Sequence, residues 1–142
     1  MSELQSALRR NGLILVGIGV VFALAVIPAF HPAAWLFLQL AYWPMAEVPA
    51  ALVPPAGVLV AISAGLTVGI GALMWGIGTH VAPVSAEAAR RVTTLTGWSW
   101  FAVDSTASVL AGAPMNVALN VIFLFLILQA ARAGLAAERS TA

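Results

Sequence analysis

Four stretches of the chain are apolar over about twenty residues each, and they limit its fold more than any other feature. They cover residues 12–30, 55–79, 88–111 and 114–133. A helix that crosses the hydrocarbon core of a bilayer needs about 20 mostly apolar residues, because each residue adds about 1.5 Å of length. The pattern therefore predicts an all-α fold, a membrane bundle of four transmembrane helices that forms one domain over residues 1–142.

The composition agrees with lipid as the surrounding medium. Apolar residues make up 62% of the chain and charged residues 8%, whereas soluble domains carry about 25% charged residues. The formal net charge of +1 is too small for electrostatic binding of nucleic acid. The chain has no cysteine, which excludes disulfides and cysteine-ligated metals. Arginine without lysine, beside abundant alanine, glycine and valine, is typical of a GC-rich bacterial genome, so we expect a bacterial lipid bilayer as the partner and no nucleic acid.

The segment between the first two stretches is too short to cross a bilayer. Residues 33–43 would form a helix of roughly 16 Å, against a hydrocarbon thickness of about 30 Å. Its aromatic side chains are of the kind that lie at headgroup level: Trp35, Tyr42 and Trp43. We expect a short interfacial helix here. The alternative, a fifth span over residues 33–53, would contain Glu47 and two prolines.

The six arginines favour four spans over five. They are Arg9, Arg10, Arg90, Arg91, Arg132 and Arg139. With four spans all six lie on one side of the bilayer, whereas a fifth span would place the first two opposite the others. Cytoplasmic loops are enriched in arginine and lysine, so we expect a multi-pass protein of the bacterial inner membrane with both termini in the cytoplasm.

Local signals mark the ends of several helices. Ser2 and Ser85 stand where N-cap residues are expected, before the first and third spans. Gly112 and Pro114 predict a tight turn between the last two spans, with the proline in the first turn of the fourth. The first span also resembles a signal peptide, with two arginines before an apolar core and an Ala-Leu-Ala sequence. Its apolar run continues far enough to cross, which favours a retained helix over a cleaved one.

Small residues in the second span predict a helix–helix seam. They recur every three or four residues along one helical face: Gly65, Gly69, Ala72 and Gly76. Helices in lipid associate through close backbone approach and polar contacts, because they gain nothing by hiding apolar surface from water. The seam lies within the chain, or against a second copy in a homo-oligomer or another membrane protein. The facing stripe in the first span is Gly12, Gly19 and Ala23, and Gly71 with Gly78 forms a second, weaker stripe in the second span.

A polar cluster interrupts the last two stretches. It consists of Asp104 and Ser108 in the third span, and of Asn116 and Asn120 in the fourth. Each pair has four-residue spacing and therefore lies on one helical face. An antiparallel hairpin folded near residue 113 brings Asn120 within a turn of Asp104. The geometry predicts one hydrogen-bonded group, with Ser105 beside the acid.

Asp104 is the candidate for function. A carboxylate at mid-membrane costs about 2.5–3.5 kcal/mol on insertion scales, so intramembrane acids face the protein interior or hold a proton, and they are functional sites by default. The alternative is a structural clamp, in which hydrogen bonds of about 0.6–2 kcal/mol each fix the third span to the fourth. With four spans, every arginine lies on the cytoplasmic side, whereas Asp104 is nearer the turn at Gly112 on the opposite side. No arginine therefore lies at a depth where it would neutralise the acid.

No catalytic or metal-binding pattern accompanies this acid. His31 follows the first span and His80 follows the second. They are therefore expected on opposite sides of the bilayer, separated by about the 30 Å hydrocarbon thickness, and do not share a metal. The sequence contains no recognisable nucleophile–base pair, phosphate-binding loop or pair of carboxylates. We therefore expect no enzyme activity, no metal site and no cofactor.

Two motifs in the last hairpin carry a resemblance. They are Trp-Phe-x-Val-Asp-Ser at residues 100–105 and Gly-Ala-Pro-x-Asn at residues 112–116. With the glycine-rich second span, they resemble small, functionally uncharacterised bacterial inner-membrane proteins of four helices. The resemblance implies the four-helix topology and implies no activity.

Three functions agree with these features. We expect an integral inner-membrane protein that serves as a non-enzymatic accessory or scaffold protein, because packing signals are present and catalytic ones are not. The alternative is a small transporter or proton-coupled carrier that uses Asp104. A third hypothesis is a bundle that binds lipid or quinone through the aromatic interfacial segment.

Overall fold

The computed structural model of the chain describes residues 1–44 and 54–135. Within them there are five α-helices and no strand, so the predicted all-α fold is confirmed. The helices are α1 (Glu3–Leu24), α2 (His31–Tyr42), α3 (Pro54–Gly76), α4 (Ala86–Leu110) and α5 (Asn116–Arg132). A 3₁₀ turn, Pro28–Phe30, precedes α2, and a π-helical segment, Ile77–Val81, continues α3. Helix α2 corresponds to the short helix predicted over residues 33–43. Residues 45–53 of the alternative fifth span lie outside the described residues.

Helix α1 begins and ends earlier than the first apolar stretch. Ser2 caps it as predicted: Gln5 N donates to Ser2 Oγ (3.2 Å) and Ser2 N donates to Gln5 Oε1 (2.9 Å), which is a capping box. The predicted span reaches residue 30, but the helix ends at Leu24. The cause is Pro28, which lacks an N–H and holds Ile27 in extended backbone (φ −86°, ψ 129°).

The ends of α4 follow the predicted signals closely. Ser85 caps the helix as predicted, because Ala88 N donates to its Oγ (3.1 Å). After α4, Gly112 adopts a left-handed conformation (φ 78°), which glycine favours at helix C-termini. The predicted fourth span starts at Pro114, but α5 starts two residues later. Val117 N donates to Pro114 O (3.1 Å), so a tight turn leads into the helix.

Two helical stretches among the described residues are long and apolar enough to cross a membrane, Glu3–Leu24 and Ala56–Val81. Inside the molecule, 33% of the apolar window of the first and 17% of that of the second are buried, so neither is enclosed as a soluble core helix would be. Helix α5 is apolar but has 17 residues. Helix α4 has 25 residues, but its charged residues, serines and threonines lower its mean hydropathy. Two of the four predicted spans therefore meet both criteria.

Helices α1 and α3 pack with their backbones in contact. A Cβ atom added at Gly12 would lie 2.6 Å from Gly71 O, and one added at Gly71 would lie 2.6 Å from Gly12 O. Gly19 approaches Ala64 O in the same way (2.9 Å). Ala64, Gly71 and Gly78 repeat every seven residues, as do Gly12 and Gly19, so small residues meet at successive levels of the antiparallel pair.

The predicted seam within the chain is therefore wrong. It was assigned to Gly65, Gly69, Ala72 and Gly76. Apart from the backbone of the same helical turns, no described atom lies within 4 Å of a Cβ added at any of these three glycines, and Ala72 is exposed. The stripe that sequence spacing ranked second forms the contact, because it matches the seven-residue interval of the small residues in α1. Ala23, expected to face the seam, is exposed.

The described arginines gather at one end of the bundle, here called the arginine end. They are Arg9, Arg10, Arg90, Arg91 and Arg132. Helix α1 begins there and the π-segment reaches it, since a Cβ added at Gly78 would lie 2.9 Å from Leu8 Cβ. Helix α4 begins and α5 ends there: Arg90 donates to Ala131 O (3.2 Å) and Ala133 O (2.8 Å). A cation at these carbonyls is favoured by the helix dipole.

The buried core is concentrated toward the arginine end. Its members are Leu4, Ala7, Leu8, Leu15, Met74, Ile77, Ala82, Ala89, Ile127 and Ala130. Asn11 links α1 to α5 within this region, because its Nδ2 donates to Leu126 O (2.7 Å) and the residue is 1% exposed. Sequence analysis did not identify this contact, although a polar residue at the edge of an apolar stretch was its signal.

Candidate functional site

The four polar residues of the predicted cluster form one hydrogen-bonded network between α4 and α5. Asn120 Nδ2 donates to Asp104 Oδ2 (2.5 Å) and to Ser105 Oγ (3.2 Å). Asn116 Nδ2 donates to the same Asp104 oxygen (3.2 Å) and to Ser108 Oγ (2.8 Å). Two amides from α5 thus meet one carboxylate and two hydroxyls from α4.

The close approach of α4 and α5 allows these short side chains to reach each other. A Cβ added at Gly97 would lie 2.9 Å from Ile127 Cγ2, so the two helices pack closely about two turns nearer the arginine end than the network. The rings of Trp100 and Phe123 pack edge to face between this contact and the network, with 6.0 Å between centroids. The antiparallel pairing that places Asn120 beside the acid therefore depends on Gly97 and on the Trp100–Phe123 pair, which lie between the network and the arginine end.

The two carboxylate oxygens of Asp104 have different surroundings. Oδ2 accepts from both asparagines, whereas Oδ1 has no hydrogen-bond partner among the described residues. Both amides turn their nitrogen donors toward Oδ2, which accepts a hydrogen bond from each. As a result Asn116 Oδ1 is buried without a partner. The network holds the acid by one oxygen and leaves the other available.

A cavity of about 580 Å³ lies beside this network. Apolar side chains from all five helices form most of its wall, among them Leu15, Phe37, Leu59, Val60, Trp100 and Phe123. Asp104, Asn116 and Asn120 form one polar part of the wall, and Tyr42, Ser63 and Thr67 are further polar residues that line it. An apolar cavity of this size with a few convergent polar groups is the usual form of a small-molecule site.

Three of the four predicted polar residues line this cavity, and Ser108 belongs to the network away from it. Sequence analysis did not identify the remainder of the wall. Helix α2 contributes Phe37, whose ring packs edge to face on Phe22 of α1 (5.1 Å between centroids). Helix α3 contributes Ser63 and Thr67. The aromatic residues of α2 indicate that this helix could form part of an apolar wall. The position of the wall depends on how the α1–α3 pair packs against the α4–α5 pair, which the sequence alone does not give.

Neither histidine is among the described residues that line the cavity. His80 packs edge to face with Trp75 near the arginine end (6.4 Å between centroids), and His31 begins α2. Within residues 1–44 and 54–135, no three side chains of histidine, cysteine, aspartate or glutamate come close enough to hold a metal ion. The chemistry that this site offers is therefore that of one carboxylate, two amides and a few hydroxyl-bearing residues on a mostly apolar wall.

Comparison with known proteins gives no family for this chain. No family model matches it, and no curated protein or solved structure is significantly similar to it. The resemblance of the hairpin motifs to four-helix inner-membrane proteins stays an expectation, and a functional conclusion has to come from the cavity and the network on its wall.

Proposed function

We propose that the protein is an integral protein of the bacterial inner membrane and a non-enzymatic accessory protein that binds an amphipathic molecule in its cavity. In this proposal α1, α3, α4 and α5 cross the bilayer, and both termini lie in the cytoplasm. The observation that carries it is an apolar cavity with Asp104 and two asparagines on its wall.

The outer surfaces of the helices support a membrane location. Large apolar side chains that do not line the cavity are exposed on all four long helices, among them Leu13, Val21, Val58, Ile62, Leu95, Val103, Val121 and Phe125. Soluble proteins rarely expose apolar surface on every side. Helix α4 is included because its polar residues Asp104 and Ser105 turn toward α5, while Val103 is 72% exposed. Its mean hydropathy therefore understates how apolar its outer face is.

Clustering of the described arginines at one end supports the orientation, because cytoplasmic ends are enriched in arginine. The chain has no cysteine, so single cysteines report their position without a background. We expect Arg10→Cys and Arg91→Cys to react with a membrane-impermeant thiol reagent from the cytoplasmic side, and Met115→Cys from the periplasmic side. Positions 10 and 91 reacting from opposite sides would contradict four spans.

The binding role is tested by filling the cavity. Val60 lines it, whereas Val58, two residues away on the same helix, is 60% exposed and does not. We expect native mass spectrometry to detect a bound apolar molecule on the purified wild type and on Val58→Trp, and to detect much less on Val60→Trp. Equal occupancy of the two variants would show that the bound molecule lies elsewhere.

A second candidate is a small proton-coupled carrier, favoured by the available oxygen of Asp104 in the cavity. In that case Asp104→Asn keeps its fold and assembly but loses proton-coupled flux in proteoliposomes. An unstable Asp104→Asn protein, together with no flux from the wild type, would instead assign the acid to the structural clamp.

A further inference from the structure

We infer that the occupant of the cavity is a cationic amphiphile, an apolar body that carries a protonated amine, and that its ammonium group pairs with Asp104 Oδ1. This inference rests on the proposed binding function and adds the chemical class of the ligand. It comes from three features of the described wall: an acid with one oxygen that has no hydrogen-bond partner there, the lack of arginine and histidine among the described lining residues, and the aromatic rings.

The first feature is the arrangement of the carboxylate. Both amide donors bind Oδ2, at 2.5 and 3.2 Å, so they fix the side chain and leave Oδ1 for a further donor. Asp104 is half-buried and lines the cavity. An ammonium group on a ligand would supply a charge-assisted hydrogen bond, which is stronger than one between neutral groups.

The second feature is the charge of the surroundings. Among the described side chains that line the cavity there is no arginine or histidine, and the chain contains no lysine. The described arginines lie at the other end of the bundle, and Arg90 is occupied there with the carbonyl groups that end α5. A positive charge from the ligand would therefore be matched by Asp104, whereas an anionic ligand would meet a like charge.

The third feature is the aromatic content of the wall. Rings from four helices line the cavity: Phe22, Phe37, Tyr42, Trp100 and Phe123. Aromatic rings attract cations electrostatically as well as offering apolar surface. An amine-bearing amphiphile satisfies both properties of this wall, since its chain contacts the rings and its head reaches the acid.

The test uses three probes that share a ten-carbon chain: decylamine, decanol and decanoate. Each is titrated into the full-length protein in nanodiscs, and binding to empty nanodiscs is subtracted. For the wild type we expect decylamine to bind at least about tenfold more tightly than decanol, because hydrogen bonds to charged groups are the stronger ones, and decanoate to bind worst.

Asp104→Asn keeps the shape of the side chain and removes its charge. We expect the preference for decylamine over decanol to disappear in this variant, with decanol binding retained. If Asp104→Asn does not fold, the order of the three probes on the wild type still decides the question. An equal affinity of the wild type for decylamine and decanol would overturn the inference.

The control separates this inference from the proposed function. We expect Val60→Trp to weaken binding of all three probes, and Val58→Trp to weaken none. If the wild type binds no probe, or if Val60→Trp changes nothing, the cavity is not a binding site and the proposed function fails with the inference. If Val60→Trp blocks binding but the probes show no charge preference, the proposed function stands and the cationic ligand is wrong.

Discussion

The two helix pairs of this protein are held together by different means. In the α1–α3 pair, backbone meets backbone, and Gly12 and Gly71 each face the carbonyl oxygen of the other. In the α4–α5 pair, side-chain amides, hydroxyls and a carboxylate bridge the helices. If the bundle lies in a bilayer as proposed, these are the two kinds of contact that hold helices together there, because apolar burial gives no gain in lipid. The glycine pair therefore provides close packing without a polar side chain at the contact, whereas the polar pair places an acid on a cavity wall.

The two pairs also meet differently at the two ends of the molecule. Core residues are concentrated toward the arginine end, where Asn11 joins α1 to α5. Leu15 and Ile127 belong both to this core and to the cavity wall, so the cavity begins where the core stops. The arginine end is thus closely packed, and the cavity lies between the helices beyond it.

The largest effect is expected from breaking the glycine pair. Gly71→Leu places a side chain where backbone atoms of Gly12 and Val16 lie within 2.7 Å of the added Cβ. Backbone atoms cannot yield locally, so we expect a loss of about 3 kcal/mol or more in the free energy of unfolding. Thermal unfolding in detergent measures it.

The matched control for this change is Gly69→Leu on the same helix, where an added Cβ meets open space. We expect its stability to stay within about 0.5 kcal/mol of the wild type. If Gly69→Leu is the more damaging of the two, the outward stripe is covered by a second copy or another membrane protein, and the comparison of the two pairs has to include that contact.

The next effect concerns the link between the pairs. Asn11→Ala removes the bond to Leu126 O and leaves a small void at a site that is 1% exposed. We expect a loss of about 1–2 kcal/mol in unfolding free energy, within the range for polar contacts between membrane helices. Leu13→Ala, at an exposed position on α1, is the control. A loss no larger than that of Leu13→Ala would mean that the pairs associate without Asn11.

A third prediction compares the two asparagines of the polar pair. Asn120 is 3% exposed and makes the shorter bond to Asp104, whereas Asn116 is half-buried. We expect Asn120→Ala to lose about 1–2 kcal/mol of stability and Asn116→Ala about half as much. A double-mutant cycle with Asp104→Asn should give the larger coupling for Asn120. Equal couplings would show that the carboxylate uses both amides alike.

The helix contacts that follow from the sequence are those in which one local constraint fixes the geometry. A tight turn at Gly112 leaves little freedom in the pairing of α4 with α5, so the grouping of Asp104, Asn116 and Asn120 followed from spacing. The caps at Ser2 and Ser85 are local in the same sense.

Contacts between helices that are distant in sequence do not follow from local patterns in the same way. Helix α3 carries two stripes of small residues, and spacing within α3 does not indicate which stripe meets α1; the seven-residue interval of Gly12 and Gly19 decides that. The Asn11 contact and the cavity likewise depend on how one helix pair lies against the other. A local pattern in either pair does not contain that information.

The smallest effect separates the network from the cavity. Ser108 accepts one hydrogen bond from Asn116 (2.8 Å) and does not line the cavity. Ser108→Ala should therefore lower the unfolding free energy by about 0.5–1 kcal/mol, the value of one net hydrogen bond, and leave the affinity for decylamine unchanged. Ser105→Ala is the companion variant, since Ser105 is bonded to Asn120 instead. If Ser108→Ala weakens ligand binding as much as Asp104→Asn does, the Ser108 hydroxyl orients Asp104 through Asn116. In that case the whole hydrogen-bonded network, and not only its cavity-lining residues, contributes to binding.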